Sequence, residues 1–443
     1  MNRAFKYIVV GVSSVLVTLI LAGSLVGQSR QAAEDPAAPY RHLSVYAEVF
    51  AKIKSDYVEE PDMKNVTLGA INGLLVSIDP FASYLNADQY KQYTKAKELK
   101  RAGVGLVLSR KYGYEINVVD AISGSPADKA GISTGDIVES INGIQTRDMP
   151  LAFADLLLEG DAGTTVDLTV LRLRKPDPVT IKLTRAETKT PPIVVRMADS
   201  QTGLVQVQDL SAGKAAQVAS AVKEIEKRGA KRLVLDLRHD AVSSAEEGIA
   251  LANLFLEKGT IATLQGQKMP KQSFEADPSK AIFSGPMVVL TNRGTLGAAE
   301  IAAAALVDNK RAQVVGERTF GDAAVRKIIR TDDGGAVLLA VAKYYSPLGK
   351  AIQDTPVVPE YMVNDIEGQP LEEVEEVAPE EQTPPARKPG EDPVLKKALD
   401  VLNGAAPVSA AKTAAEPVVA PLPAAPSPEL VKEHADQGKK KLP

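Results

Sequence analysis

The amino-acid sequence predicts a multidomain α+β protein with a membrane segment at its N-terminus. Three observations lead to this fold class. Uncharged apolar residues fill 7–27, β-branched segments joined by glycine turns fill 101–187, and strand and helix patterns alternate across 190–365. A helical module at 41–100 and a Pro- and Ala-rich, mostly disordered tail at 366–443 complete the predicted order.

Composition excludes several classes of function. The formal net charge of -4 gives no bulk electrostatic signal for nucleic acid, so no nucleic-acid partner is expected. The chain has no cysteine, which excludes disulfides, thiolate metal sites and cysteine-based catalysis, and neither a metal nor a cofactor is expected. A Ser-His-Asp triad would need one of only three histidines, His42, His239 and His434.

Residues 1–27 are interpreted as an uncleaved signal anchor. Arg3 and Lys6 precede the apolar run Tyr7–Gly27, which as a helix reaches roughly 30 Å, about one bilayer core. The basic flank predicts that the rest of the chain is exported to the periplasmic or extracellular side of the cytoplasmic membrane. A cleaved signal peptide, cut near "LAGS", is the alternative, and a buried core helix fits this flank poorly.

Helical periodicity characterises the module at 41–100. The stretch "LSVYAEVFAKIKSDYV" places an apolar set on one helix face, namely Leu43, Tyr46, Val49, Phe50 and Ile53. A second apolar set, "VTLGAINGLLVSI", ends at "DPFASYL", which is a turn signal. The module is expected between the membrane segment and the first β domain.

Residues 101–187 predict a compact β-rich domain. The stretches "GVGLVLSR", "YEINVVDAI" and "TTVDLTVLR" are typical strands, and "GDIVESINGIQT" predicts a hairpin with its turn at Asn142-Gly143. The stretch "MPLAFADLLLEG" predicts an amphipathic helix that ends at Gly160.

This region resembles a PDZ domain, through "SPADKAGISTGDIVESINGI" and through "GVGL" ahead of the first strand. The resemblance implies that the "GVGL" loop binds the carboxylate of a peptide C-terminus, while the adjacent strand edge accepts the extended peptide. The peptide-binding residues would be Gly103, Val104, Gly105 and Leu106. The alternative is that these glycines serve only a turn.

The alternating region 190–365 and its flanks resemble the carboxy-terminal processing peptidases, tail-specific serine proteases that pair a serine with a lysine. The resemblance covers about 40–400 and includes "SIDPFASYL", "VLDLR", "VDNKRAQVVGERTFG" and "AKYYSPLGKAIQ". It implies an α/β protease-like core domain that follows the PDZ domain.

The residues that carry the family's chemistry are replaced in this chain. With Glu300 as the alignment anchor, the nucleophile position falls on Gly297, the general-base lysine on Asp322 and its supporting glutamine on Arg326. Glycine has no side chain to attack a carbonyl, and an ionised aspartate cannot take the role of a desolvated amine. No catalytic residue is therefore expected.

The loop after the buried strand is altered as well. The family's Asn-Pro-Gly-Gly, which helps to form the oxyanion hole, is replaced by Asp240, Ala241, Val242 and Ser243. Losing one oxyanion donor costs about 100–1000-fold in rate. The chain is therefore expected to be a non-catalytic PDZ protein that binds peptide or protein C-termini or partners an active peptidase homologue.

The alternative is an active serine-type endopeptidase that processes protein C-termini with relocated residues. Thr295 and Lys327 are the fallback pair, although Thr295 is more simply a helix N-cap or a turn residue. A triad of His239, Asp240 and either Ser243 or Ser244 is less favoured, because adjacent residues of an extended segment point to opposite faces. Asp308 matches an acidic position of the family but has no amine or nucleophile to serve.

Overall fold

The structure, a computed structural model, describes residues 38–99, 102–110, 115–147, 149–172, 175–364 and 392–404. The predicted signal anchor and most of the predicted tail lie outside these ranges. Within the ranges, no helix combines the length and apolar character needed to cross a bilayer.

The chain divides into two compact units, Met1–Ile71 and Asn72–Pro443. The first unit contains helix α1 (Ala38–Asp56) and the first part of helix α2 (Met63–Val76), where the sequence predicts helical periodicity. The remaining elements belong to the second unit.

The segment "DPFASYL" is more than a turn. It contains strand β1 (Ser83–Leu85), which precedes helix α3 (Ala87–Leu99) and pairs antiparallel with β16 (Ala336–Tyr345). A residue pattern within one short segment cannot reveal a partner strand so distant in sequence, so the interpretation as a turn was incomplete.

A β-rich sheet with the strand order β2-β3-β4-β6-β7 lies where the sequence predicts the PDZ domain. The hairpin turn at Asn142 (φ 51°) and Gly143 (φ 77°) has the left-handed backbone that an Asn-Gly turn favours. The elements are β2 (Leu106–Ser109), β3 (Ile116–Ala121), α4 (Pro126–Lys129), β4 (Ile137–Ile141), β5 (Ile144–Gln145), α5 (Leu151–Leu158), β6 (Thr165–Arg172) and β7 (Lys175–Thr184).

The core domain is built on a sheet of order β17-β14-β13-β10-β9-β8, in which only the β8–β9 pair is antiparallel. Its strands are β8 (Val194–Met197), β9 (Thr202–Gln206), β10 (Arg232–Asp236), β13 (Met287–Thr291), β14 (Gln313–Gly316) and β17 (Tyr361–Met362).

Helices cover both faces of this sheet, which explains its apolar strands. Three helices join one core cluster, namely α6 (Lys214–Lys227), α7 (Ala245–Asn253) and α8 (Ala298–Asp308). Helix α9 (Pro393–Leu402), predicted inside the tail, packs on the other face through Val394, Ala398 and Val401.

An antiparallel sheet of order β1-β16-β11-β12, with β15 also paired to β16, completes the second unit. Its further strands are β11 (Thr260–Gly266), β12 (Met269–Glu275) and β15 (Ala324–Arg330), and a short 3-10 helix spans Pro278–Lys280. Strand β15 begins two residues after Asp322, so this sheet positions the loop that carries Asp322.

Candidate functional site

The candidate site lies at the carboxyl ends of β10 and β13, which are neighbouring parallel strands of the core sheet. Functional groups of open α/β sheets commonly lie on loops at this edge. The two loops meet here, because the Leu296 N–H donates to the Asp240 carbonyl at 3.0 Å.

Gly297 forms the sharp turn between β13 and α8. Its backbone has φ 59° and ψ -110°, a conformation that glycine adopts without the strain it imposes on other residues. Strained strand-turn-helix elbows present the nucleophile in many hydrolases. The elbow backbone is therefore present at a position whose residue has no side chain.

The hydroxyl group of Ser243 lies beside this elbow. A Cβ built on Gly297 would lie 3.1 Å from Ser243 Oγ. The same Oγ accepts a hydrogen bond of 3.0 Å from the Ala298 N–H at the start of α8. Backbone N–H groups in such positions stabilise oxyanions in acyl-transfer sites. Ser243 thus binds the backbone donor that an oxyanion would need.

Asp322 and Arg326, which follow Phe320-Gly321, form an ion pair. Arg326 Nη1 donates to Asp322 Oδ2 at 3.2 Å, and Nη2 donates to Oδ1. The guanidinium also lies 4.4 Å from the centroid of the Phe81 ring. A carboxylate only accepts and an arginine stays protonated, so neither side chain supplies a neutral amine.

Glu300 holds the elbow and the Asp322 loop together. Its buried carboxylate accepts hydrogen bonds from the backbone N–H groups of Gly297 (3.1 Å), Gly321 (2.6 Å) and Asp322 (2.8 Å). Burial raises the pKa of Glu300 to about 7, while hydrogen bonds from the Thr319 hydroxyl and from these N–H groups oppose the rise. In the sequence, Glu300 was identified only as the anchor of the family alignment, and its bridging role was not predicted.

The fallback pair of Thr295 and Lys327 is not arranged as a dyad. The fully buried Thr295 hydroxyl donates to the Leu237 carbonyl at 2.9 Å and accepts from the Asn292 N–H at 3.0 Å. Thr295 is therefore a turn residue, and the N-cap of α8 is Gly297. Lys327 is exposed on β15, where strand alternation directs it to the face opposite Arg326.

Both ring nitrogens of His239 are already used. Asn292 Oδ1 accepts the N–H groups of His239 (3.1 Å) and Gly294 (3.0 Å), so its amide NH2 faces His239 Nε2 at 2.9 Å. His239 must then carry its proton on Nδ1, which lies 2.8 Å from Asp120 Oδ1 on β3. His239 thus connects the PDZ sheet to the core instead of activating a serine.

The other acidic and hydroxyl candidates are Ser244, Asp308 and Asp240, and none of them is arranged with a nucleophile or a base among the described residues. Ser244 Oγ accepts from the Glu247 N–H at 3.4 Å at the start of α7, and Asp308 accepts from the Leu348 N–H at 3.1 Å. The Asp240 carboxylate is fully buried, and within the described ranges neither of its oxygens has a hydrogen-bond partner. Burial and the nearby Asp209 raise the pKa of Asp240 well above its usual range.

The "GVGL" loop leads into β2, which among the described strands pairs with β3 on one edge and leaves its other edge free. The Ile122 N–H donates to the Gly105 carbonyl at 2.8 Å, which makes Leu106–Ala121 a non-hydrogen-bonded pair. Leu106 therefore directs its N–H and C=O toward the free edge of the sheet, where an added strand can pair.

Of the four predicted peptide-binding residues, Gly103 has its N–H engaged, because it donates to the Ala186 carbonyl at 3.1 Å. The N–H groups of Val104 and Gly105 donate to no acceptor among the described residues. Gly105 has φ 78°, and a Cβ there would lie 2.2 Å from Ser125 Cβ, so both backbone and packing require glycine. The loop thus offers three N–H groups to an anion, those of Val104, Gly105 and Leu106.

A cavity of about 200 Å³ lies between β2 and α5 and extends to Asp322 and Arg326. The contributing elements are β2, α3, α5, the elbow, β15 and β16. Its lining includes Val107, Leu108, Leu151, Ala152, Leu156, Phe81, Leu296 and Leu338, together with Tyr93, Lys97, Asp155, Glu159, Asp322 and Arg326. One cavity therefore adjoins β2, α5 and the Asp322–Arg326 ion pair.

No group of three or more His, Cys, Asp or Glu side chains in the described part of the chain is arranged to hold a metal ion.

Comparisons with known proteins agree with this architecture. A family model described as peptidase family S41 matches residues 201–363, and a PDZ domain model matches residues 118–172. The chain is 30% identical over 378 residues to the carboxy-terminal-processing protease of Bartonella bacilliformis, covering 84% of each chain. It is 31% identical over 360 residues to the carboxy-terminal processing protease CtpA of Bacillus subtilis, covering 80% of this chain and 76% of the relative.

The solved structure of a photosystem II D1 C-terminal processing protease is similar as well. It has 26% sequence identity and a TM-score of 0.60, and the match covers 72% of this chain and 92% of that chain. The predicted resemblance to the carboxy-terminal processing peptidases with a PDZ domain is confirmed.

Proposed function

We propose that this chain, which belongs to the carboxy-terminal processing proteases of peptidase family S41, is a non-catalytic member that binds peptide or protein C-termini. The arrangement at the elbow carries the proposal. Gly297 supplies no nucleophile, and Ser243 Oγ binds the Ala298 N–H at 3.0 Å. The Asp322–Arg326 ion pair stands where a proton-accepting amine would be needed.

The three losses reinforce one another. Removing a single oxyanion donor costs about 100–1000-fold in rate. The nucleophile and its base act as one unit, so the absence of both leaves no partial mechanism for the remaining groups to perform.

Features that support peptide binding are retained. The free edge of β2 lies beside α5, and the N–H groups of Val104, Gly105 and Leu106 are available to a carboxylate. An extended peptide gains affinity from main-chain hydrogen bonds and selectivity from the pockets that its alternate side chains enter. The cavity that reaches Asp322 and Arg326 gives such a peptide room beyond the PDZ sheet.

Location is part of the proposal. The basic flank and the apolar run Tyr7–Gly27 support export and anchoring in the cytoplasmic membrane, with the body of the chain outside. There the chain would hold client C-termini alone or beside an active homologue. Fractionation that finds the full-length chain soluble in the cytosol would overturn this assignment.

The second candidate function is serine-type endopeptidase activity. It is supported by the names of the relatives, and by the hydroxyl of Ser243 next to the elbow. Against it, both nitrogens of His239 are engaged, and Thr295 and Lys327 lie in unrelated surroundings.

Binding is tested with one peptide that has an apolar C-terminus, prepared as the free acid and as the amide. Fluorescence anisotropy with the full-length chain in detergent micelles should show the acid binding about tenfold more tightly than the amide. This is the difference expected when a carboxylate accepts charge-assisted hydrogen bonds from the loop N–H groups. Equal affinity for the two forms would contradict capture of a C-terminal carboxylate.

The matched variants are Gly103→Asp and Gly103→Asn. Nothing lies within 4 Å of a Cβ at Gly103, whereas a side chain at Gly105 would collide with Ser125 and confuse binding with folding. The added carboxylate should weaken binding of the acid peptide, and the neutral isostere should leave it nearly unchanged.

A further inference from the structure

Three acidic and two basic side chains line the groove. Lys97 forms an ion pair with Glu159 at 3.5 Å, and Arg326 pairs with Asp322. The fifth charged residue of the lining, Asp155, receives no hydrogen bond and forms no ion pair within the described residues.

Asp155 lies on α5 among apolar groups but remains partly exposed to the cavity. Burial raises the pKa of Asp155 to about 7, with Lys97 opposing and Glu159 adding to the rise. An ionised carboxylate in such surroundings is stabilised by a cation placed directly against it. Among the described residues, no cation forms an ion pair with Asp155, and Lys97 pairs with Glu159.

We propose that the peptide side chain facing α5 is a lysine or an arginine and that it pairs with Asp155. This assignment rests on the proposed function, and it makes Asp155 the residue that selects among C-termini. Lys97 is paired with Glu159 and Arg326 with Asp322, so the positive charge that pairs with Asp155 comes from the peptide.

The position of this basic residue follows from the geometry. The Gly160 N–H donates to the Ala102 carbonyl at 2.9 Å, so the end of α5 lies beside the "GVGL" loop. Asp155 lies three residues, or roughly 4.5 Å of helix rise, before Leu158 at the end of α5, and a peptide strand advances about 3.3 Å per residue. Alternate side chains share a face, so the last and third-from-last residues face α5 and the penultimate residue faces away.

The test uses peptides with free C-termini that carry lysine, norleucine or glutamate at the last or third-from-last position. Norleucine keeps the aliphatic chain of lysine without its charge. A peptide with lysine only at the penultimate position is the positional control. Affinities are measured by fluorescence anisotropy with the full-length chain in detergent micelles, for the wild type and for Asp155→Asn.

At about pH 8 the wild type should bind the lysine peptide about tenfold more tightly than the norleucine peptide, at one of the two facing positions. Asp155→Asn should bring this ratio close to one while norleucine binding persists. The ratio should shrink at about pH 5.5, where Asp155 is protonated in the empty groove. If Asp155 had a purely structural role, the ratio of the affinities for the lysine and norleucine peptides would not depend on pH.

Equal affinity for lysine and norleucine in the wild type at both positions would overturn the proposal, as would an unchanged ratio in Asp155→Asn. In both cases the norleucine peptide still binds, so capture of C-termini would stand. Failure of every free-acid peptide to bind would instead overturn the proposed function, and this inference with it.

Discussion

Restoring a serine at the elbow through Gly297→Ser should destabilise the folded chain. The backbone there has φ 59° and ψ -110°, which a residue with a Cβ adopts only under strain. The new Cβ would also lie 3.1 Å from Ser243 Oγ, so Ser243 must move and weaken its hydrogen bond with the Ala298 N–H.

The expected magnitude has two parts. Backbone strain of this kind costs roughly 1–3 kcal/mol. Loss of the Ser243 hydrogen bond adds about 1 kcal/mol. Together these give a loss of roughly 2–4 kcal/mol in the free energy of unfolding.

The assay is urea unfolding of the full-length chain in detergent, followed by circular dichroism because the chain has no tryptophan. Gly213→Ser is the matched control, since Gly213 has φ 87° at a helix start with nothing within 4 Å of an added Cβ. Gly297→Ser should cost more than Gly213→Ser, and Ser243→Gly should cost about 1 kcal/mol less in the Gly297→Ser background than in the wild type, because the hydrogen bond that it removes is already weakened there. A Gly297→Ser variant as stable as the wild type would refute the reasoning.

Three further predictions concern the surroundings of the elbow. Burial raises the pKa of Asp240, so the folded chain keeps a proton on Asp240 at a pH where the unfolded chain has lost it. The free energy of unfolding of the wild type should therefore fall as pH rises. In urea unfolding, the stability of Asp240→Asn relative to the wild type should therefore increase from about pH 5 to about pH 8. A difference that does not change with pH would contradict this. Arg326→Ala should cost roughly 1–3 kcal/mol by removing the ion pair with Asp322, and Asp322→Ala in the same chain should recover part of that loss. Gly297→Ser with Asp322→Lys should still show little peptide hydrolysis, because the Ser243 side chain remains beside the Ala298 N–H even where its hydrogen bond is weakened. Ser243→Gly added to this pair should raise the rate, and ready cleavage by the two-residue variant would contradict this.

Much of the fold was predictable because its signals are local. The Asn142-Gly143 turn, the buried strand ending at Asp236 and the helix Pro393–Leu402 follow from turn chemistry, apolar runs and helical periodicity. Family resemblance then supplied the order of the domains, and the comparisons confirm the family.

Contacts between segments distant in sequence were not predictable in the same way. Strand β1 pairs with β16, and His239 meets Asp120 across 119 residues, which no local pattern encodes. The replacement of a family glycine by Ser243 was visible in the sequence. Its hydrogen bond to the Ala298 N–H depends on how two loops meet, and only the structure shows that.

The proposal that this chain is non-catalytic is tested most directly by incubating the purified full-length chain with an unstructured protein that has an apolar C-terminus and measuring cleavage over time. No cleavage above a chain-free control is expected, and none that changes in Ser243→Ala, Thr295→Ala or Lys327→Ala. Cleavage that co-purifies with the chain and disappears in one of these variants would show relocated catalytic residues and contradict the proposal. Cleavage that persists in all three at equal rate would identify a contaminating peptidase.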